Sequence, residues 1–281
     1  MPRSAVLPPA GTQAVGEPSE RRRSMSREFF ENWTRWDFER NGTQRKLPYF
    51  YYDNTSLVSI FLAASSKIEQ LLPHPSMKPV EMVPGRCIVA FAAFEYRETD
   101  FEPYNEFSIS FLISFGKPRI PGFTAARMML SRTTSTYVWQ LPVNTEHARA
   151  GGVDLFGYPK FLADINFEKS DDWISCTLSE GGQEILQLKG RRLPTRMGKL
   201  TRYITYAVEN GNPLVAEVLV NPIEYAEMYG GRAVELELGS GHRISEVLKQ
   251  IDLGKRALAY QYSPVNEAIL FPARNVIGNN M

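Results

Sequence analysis

Hydrophobic and polar positions alternate through much of the chain after residue 56, and that period of two predicts strands. Leu57-Val-Ser-Ile-Phe-Leu62, Cys87 to Phe94, Glu106 to Phe115 and Ser135 to Leu141 are β-branched or aromatic and largely alternating. Two hairpins carry turn residues: Trp173–Leu178 and Glu184–Leu188 flank Ser179-Glu-Gly-Gly182, and Tyr203–Val208 and Leu214–Val220 flank Asn210-Gly211. Val234–Leu238, Arg256–Tyr262 and Ala268–Phe271 add three more strands. Helical spacing occurs twice. Phe29, Phe30, Trp33 and Trp36 predict a helix over 26–40 that stops at Gly42 and docks its aromatic face on the body or on another subunit. Ile244, Val247, Leu248 and Ile251 predict a second helix, with Gly254 beyond it. About ten strands in series with few helices predict a mainly β (α+β) body, an antiparallel barrel or sandwich. Residues 1–24, rich in Pro, Ser, Gly and Ala and ending in Arg21-Arg-Arg23, read as a mobile tail before one domain over 25–281.

Composition narrows the function. With 281 residues and 43% apolar content the chain can bury a sizeable core and is not a disordered protein. The 32 Lys+Arg against 31 Asp+Glu leave a net charge of +1, which excludes nucleic-acid binding driven by bulk charge. The longest apolar run, Ile88 to Phe94, is far too short for a membrane span, and the first ten residues lack the apolar core of a secretion signal. A soluble cytoplasmic protein is expected. Cys87 and Cys176 each sit in an alternating apolar run and read as buried thiols. His74, His147 and His242 are isolated from one another, so no histidine metal site is expected. Gly239-Ser-Gly241 reads as a turn, and neither a Walker loop nor a G-x-S-x-G elbow is present.

One stretch carries candidate chemistry: Ala148-Arg-Ala-Gly-Gly-Val-Asp-Leu-Phe-Gly-Tyr-Pro-Lys-Phe-Leu-Ala163. Pro159 fixes φ ahead of Lys160, Gly157 permits close backbone packing, and the lysine opens an apolar, strand-like run. Arg149 and Asp154 read as a structural pair around the turn. A lysine on such a stiff base points in a fixed direction. This segment resembles the acetoacetate decarboxylase family, whose motif is Gly/Ala-Tyr/Phe-Pro-Lys preceded by Gly-Arg-Glu. Gly157-Tyr-Pro-Lys160 matches it, and Gly152-Val-Asp-Leu stands where Gly-Arg-Glu-Leu is usual. Upstream, Glu102-Pro-Tyr-Asn-Glu106-Phe is similar to the family's Tyr-x-Glu segment. The resemblance implies a closed, cone-like β-barrel around a buried pocket, a homo-oligomer, and no external cofactor or metal. It also implies that Lys160 forms a Schiff base with a β-keto acid and that Glu106 assists positioning or proton transfer. Tyr104, Tyr158, Phe161 and Gly157 are then the residues expected to contact substrate.

The chemistry needs an amine. Losing CO₂ from a β-keto acid leaves an electron pair that a protonated imine accepts far better than a ketone. A free lysine is neutral in only about one molecule in 2,500 at pH 7, so a burying pocket or a nearby charge must restore the nucleophile. Acetoacetate decarboxylase is itself a standard named example of that effect. The sequence departs from the family at three places. Phe161 replaces a second lysine; Asp53-Asn-Thr-Ser56 and Ala90-Phe-Ala92 replace an arginine and a glutamate; and the stretch between Glu106 and Lys160 is longer, with Arg119, Arg127 and Arg132 read as surface. A larger β-keto acid than acetoacetate fits these changes. An aldolase or dehydratase working through the same imine, and a barrel that binds a small molecule without turnover, are the alternatives.

Overall fold

The computed structural model describes residues 28–117 and 119–276, so the tail over 1–24 lies outside the described residues. In chain order the strands are β1 (Trp36–Arg40), β2 (Thr43–Leu47), β3 (Tyr49–Ala64), β4 (Met77–Pro79), β5 (Glu81–Val83), β6 (Arg86–Thr99), β7 (Tyr104–Phe115), β8 (Thr133–Gln140), β9 (Asp164–Lys169), β10 (Trp173–Glu180), β11 (Gln183–Arg191), β12 (Thr201–Glu209), β13 (Asn212–Tyr229), β14 (Val234–Leu238), β15 (Ala259–Leu270) and β16 (Arg274–Asn275). Helices cover Ser65–Glu69, Phe123–Ser131, Glu146–Phe156 and Arg243–Gln250.

Seven strands close into a barrel in the order β7-β8-β12-β13-β15-β3-β6, with β6 paired back to β7. All of its pairings are antiparallel except β8 with β12. The expected antiparallel barrel is therefore a mixed one. The reason is the long excursion between those two strands. It builds the 146–156 helix and β9 to β11 and then returns beside β8 in the same direction, a crossover that parallel pairing requires. A separate four-stranded sheet has the order β14-β11-β10-β9.

Two large cores follow from the alternation. Phe107, Ile109, Phe111 and Ile113 share one face of β7 and pack with Leu57, Phe91, Ile174, Cys176 and Leu188, joining the barrel wall to the four-stranded sheet. The second core draws on all seven barrel strands: Tyr49 and Tyr51, Tyr96, Tyr104, Val138, Ala207, Ala216, Ala268 and Leu270. Side chains from every stave meet only inside a barrel. Small alanines on β12, β13 and β15 leave room there for Leu155 and Phe156 of the 146–156 helix. Cys87 and Cys176 are both free and buried, as read.

Three elements differ from expectation. Of the helix expected over 26–40, the described residues are helical only at 28–31, and beyond them Trp36–Arg40 pairs with Thr43–Leu47. Asn41 (φ 50°) and Gly42 (φ 76°) turn that hairpin, so Gly42 reverses a strand instead of stopping a helix. Trp33 and Trp36 stay 40% and 48% exposed; Phe29 and Phe30 pack on the body, with Phe30 4.9 Å from the Tyr52 ring, and Trp33 meets Phe271 edge-on at 4.7 Å. The two strands expected after Arg256 are one, β15, because the irregular register at Ser263, Asn266 and Ala268 takes up Pro264 without breaking the strand. The helices at Ser65–Glu69, Phe123–Ser131 and Glu146–Phe156 carry no apolar stripe long enough to be read.

Candidate active site

The 146–156 helix delivers Lys160. Thr145 caps its start, the hydroxyl accepting from Ala148 N at 3.3 Å. Gly157 ends it in the left-handed region, φ +66°, where a Cβ would meet Leu214 Cδ1 at 2.5 Å. Gly157 N donates to Val153 O and Tyr158 N to Gly152 O, and Pro159 then prevents further helix. Lys160 was expected on a strand; it lies instead in an extended link before β9. That link is still fixed, because Leu141 N donates to Pro159 O and Val143 N to Phe161 O on either side of the lysine. The side chain folds back over the helix just completed. A Cβ at Gly152 would overlap Lys160 Cδ and Cε and stand 3.1 Å from Nζ. Glycine at 152 is thus what admits the lysine.

The amine meets a carboxylate. Lys160 Nζ donates to Glu106 Oε2 at 2.6 Å, with 7% and 10% of the two side chains exposed. Glu106 shares its face of β7 with Tyr104, two residues away, and the Tyr104 ring centroid is 5.5 Å from Nζ. Tyr96, opposite Tyr104 on β6, donates to Glu106 Oε1 at 3.4 Å, and their rings stack at 4.6 Å. Burial pushes the phenols of Tyr51, Tyr96 and Tyr104 well above their ordinary range, and the Glu106 charge adds to it. They remain neutral hydrogen-bonding groups. Tyr158 is likewise raised by burial and shares a 2.7 Å hydrogen bond with Thr205.

A narrow cavity of about 10 Å³, room for about one water, is lined by Lys160, Tyr104 and Tyr158 together with Tyr49, Tyr51, Phe101, His147 and Gly151-Gly152. At its rim the exposed His147 stacks on Phe101, ring centroids 5.4 Å apart. Of the residues expected to contact substrate, Tyr104 and Tyr158 line this space. Gly157 and Phe161 do not: Gly157 abuts Leu214, and Phe161 packs toward the core that joins barrel and sheet. Arg149 pairs with Glu146, while Asp154 accepts from Thr43, so the two are not each other's partners. Arg127 and Arg132 are exposed and Arg119 donates to Pro79 O; none lines the cavity. Asn54, in one of the departing stretches, is buried and donates to Asn266 O. Sequence reasoning missed Tyr49, Tyr51, Phe101, His147 and Gly151. Gly151-Gly152 is visible in the sequence as a glycine pair just ahead of the Lys160 motif; the aromatic walls carry no such signal.

A wider cleft of about 580 Å³ lies between β14, the 243–250 helix and residues 252–257, apart from Lys160. Among the described residues no group of three His, Cys, Asp or Glu side chains is placed to hold a metal ion. No helix among them is long and apolar enough to cross a membrane.

Solved structures of similar fold include an acetoacetate decarboxylase (15% identity, 84% of this chain and 92% of that one, TM-score 0.59). Another is the acetoacetate decarboxylase of Legionella pneumophila (13% identity, 98% and 100%, TM-score 0.60). A third is the enduracididine biosynthesis enzyme MppR, in complex with the condensation product of pyruvate and imidazole 4-carboxaldehyde (12% identity, 82% and 89%, TM-score 0.56). Among curated proteins none matches the sequence. The sequence itself matches the acetoacetate decarboxylase family over residues 38–265, which takes in β7, the 146–156 helix and the Lys160 link. The chain belongs to the acetoacetate decarboxylase family.

Proposed function

We propose that the protein decarboxylates a β-keto acid through an imine on Lys160, without an external cofactor. The observation that supports this most is the buried Lys160 Nζ held 2.6 Å from Glu106 Oε2 at one end of an aromatic cavity. A lysine with no chemical task is normally left at the surface. Glu106 takes the proton that the ammonium must lose, and the free amine adds to the substrate ketone. Loss of water gives the protonated imine. The bond to the carboxylate then breaks, its electrons flow into the imine as an enamine, and CO₂ leaves. Glu106 has by then passed its proton to the hydroxyl that left as water, so it relays a fresh proton from solvent to the enamine carbon; water then hydrolyses the imine, releasing the ketone and the amine.

A condensation through the same imine is the second reading, favoured by the MppR neighbour whose complex holds a condensation product. Incubation with acetoacetate and longer β-keto acids under sodium borohydride, followed by peptide mapping, tests the imine. A reduced adduct on Lys160 that disappears in Lys160→Ala is expected. An adduct elsewhere, or one retained by that variant, overturns the proposal. Evolution of CO₂ in step with substrate consumption separates decarboxylation from condensation.

A further inference from the structure

The cavity has a second polar end, away from Glu106. Tyr49 is 6% exposed and lines the cavity, yet its hydroxyl has no hydrogen-bond partner. Arg45, on the β2 strand just upstream, lies against that hydroxyl. Its Nε is also buried without a partner, and its Nη1 donates to Gln44 O. Buried polar groups are nearly always satisfied. A guanidinium N–H donates and a phenol oxygen accepts, so Arg45 serves the Tyr49 oxygen. The Tyr49 O–H is the donor left without an acceptor.

The helix floor links this place to the amine. A Cβ at Gly151 would stand 3.3 Å from Tyr49 Oη, and one at Gly152 would stand 3.1 Å from Lys160 Nζ. Consecutive glycines thus seat the Tyr49 hydroxyl and the Lys160 side chain side by side on the helix. The charges around the two are opposed. The Glu106 field raises the phenols of Tyr51, Tyr96, Tyr104 and Tyr158, whereas at Tyr49 the neighbouring guanidinium acts in the other direction. The other cation near Tyr49, Arg35, is paired with Asp100 at 2.9 Å. Asp100 acts on Tyr49 in the opposite sense to Arg45 and is itself paired with Arg35, which leaves Arg45 as the cation beside the phenol.

We infer that Tyr49, supported by Arg45, anchors the carboxylate of a keto-acid substrate whose ketone stands beside Lys160. This rests on the imine reading above and identifies the group that fixes the acid. Neither residue lies in the stretches where the family's arginine and glutamate are missing.

The test compares acetoacetate with methyl acetoacetate, the same ketone with its charge masked. The readout is the concentration giving half-maximal borohydride labelling of Lys160. Tyr49→Phe and Arg45→Met should each raise it about tenfold or more for acetoacetate, the loss of a charge-assisted hydrogen bond. For the ester each should change it by less than about twofold, and Arg45→Lys should recover part of the acetoacetate loss. Circular dichroism checks that the variants fold. Equal responses to both probes, or no response to acetoacetate, overturn the anchor and leave the imine standing. If neither these probes nor a longer β-keto acid and its methyl ester labels Lys160 in the unsubstituted protein, the imine and the anchor are both overturned.

Discussion

Gly152→Ala tests whether the bare floor is what lets Lys160 reach Glu106. Position 152 has ordinary helical geometry, so taken alone the change should stabilise the helix by about 1 kcal/mol. The new methyl, however, would occupy the space of Lys160 Cδ and Cε. The side chain has to swing away and lose the 2.6 Å contact with Glu106, a pair no more than 10% exposed. Separating a buried pair of this kind costs roughly 3–5 kcal/mol. The net effect is a loss of roughly 2–4 kcal/mol. In a Lys160→Ala background the obstruction is gone, and the same glycine change should turn stabilising by about 1 kcal/mol or slightly more. Urea unfolding of the four proteins in this cycle measures the sign change. Borohydride labelling at position 160 should fall about a hundredfold in Gly152→Ala alone, because the amine is displaced by more than an ångström. Unchanged labelling in Gly152→Ala, or the same stability effect in both backgrounds, would refute the reasoning.

Glu106→Gln should slow labelling of Lys160 by a factor of about 10² or more, since the amide cannot take the ammonium proton; labelling at the original rate would remove Glu106 from the mechanism. Alkaline pH should destabilise the fold steeply. The phenols of Tyr51, Tyr96 and Tyr104 are raised by burial in the native state, and Tyr49 is raised to about 12, against an unfolded value near 10. Each therefore contributes stability that is intact below pH 10. Above it, each loses about 1.4 kcal/mol per pH unit, because only the unfolded chain ionises there. Urea midpoints measured between about pH 9 and 11 check this, and a flat profile contradicts it. The thiols of Cys87, pushed up to about 11 by burial, and Cys176, pushed higher, should resist a soluble alkylating reagent until urea is added.

How much the sequence disclosed depends on where the physical signal lies. Strands such as Val234–Leu238 were legible because alternation records a half-buried pleat, and the Asn210-Gly211 hairpin because few residues accept the turn's backbone angles. Asn41-Gly42 carried the same signal, but four aromatic residues at helical spacing outweighed it. The 146–156 helix was hidden because Gly151 and Gly152 are poor helix formers, and at 152 a Cβ would overlap the Lys160 side chain. Barrel closure and the parallel β8–β12 pairing are long-range facts that no local pattern encodes. Lys160 and Glu106 could be paired in advance only through the family resemblance, since 54 residues separate them. Tyr49 and Arg45 lie outside every segment that carried it.

The substitution of Phe161 for a second lysine bears on the imine directly, and the geometry decides which way. Residues 160 and 161 belong to an extended link, so their side chains leave in opposite directions. Lys160 turns back over Gly152 into the barrel interior, while Phe161 packs on the core shared with the four-stranded sheet. A cation at 161 would face that apolar core, away from the amine. The surroundings that govern Lys160 are those of its own side: a buried carboxylate at 2.6 Å, the Tyr104 ring and a glycine floor. Phenylalanine at 161 therefore adds to the packing behind Lys160 and leaves the contacts of the Lys160 amine intact. On the proposed reading, the selection of one keto acid over another then falls to the Tyr49 hydroxyl, which lines the same cavity as Lys160.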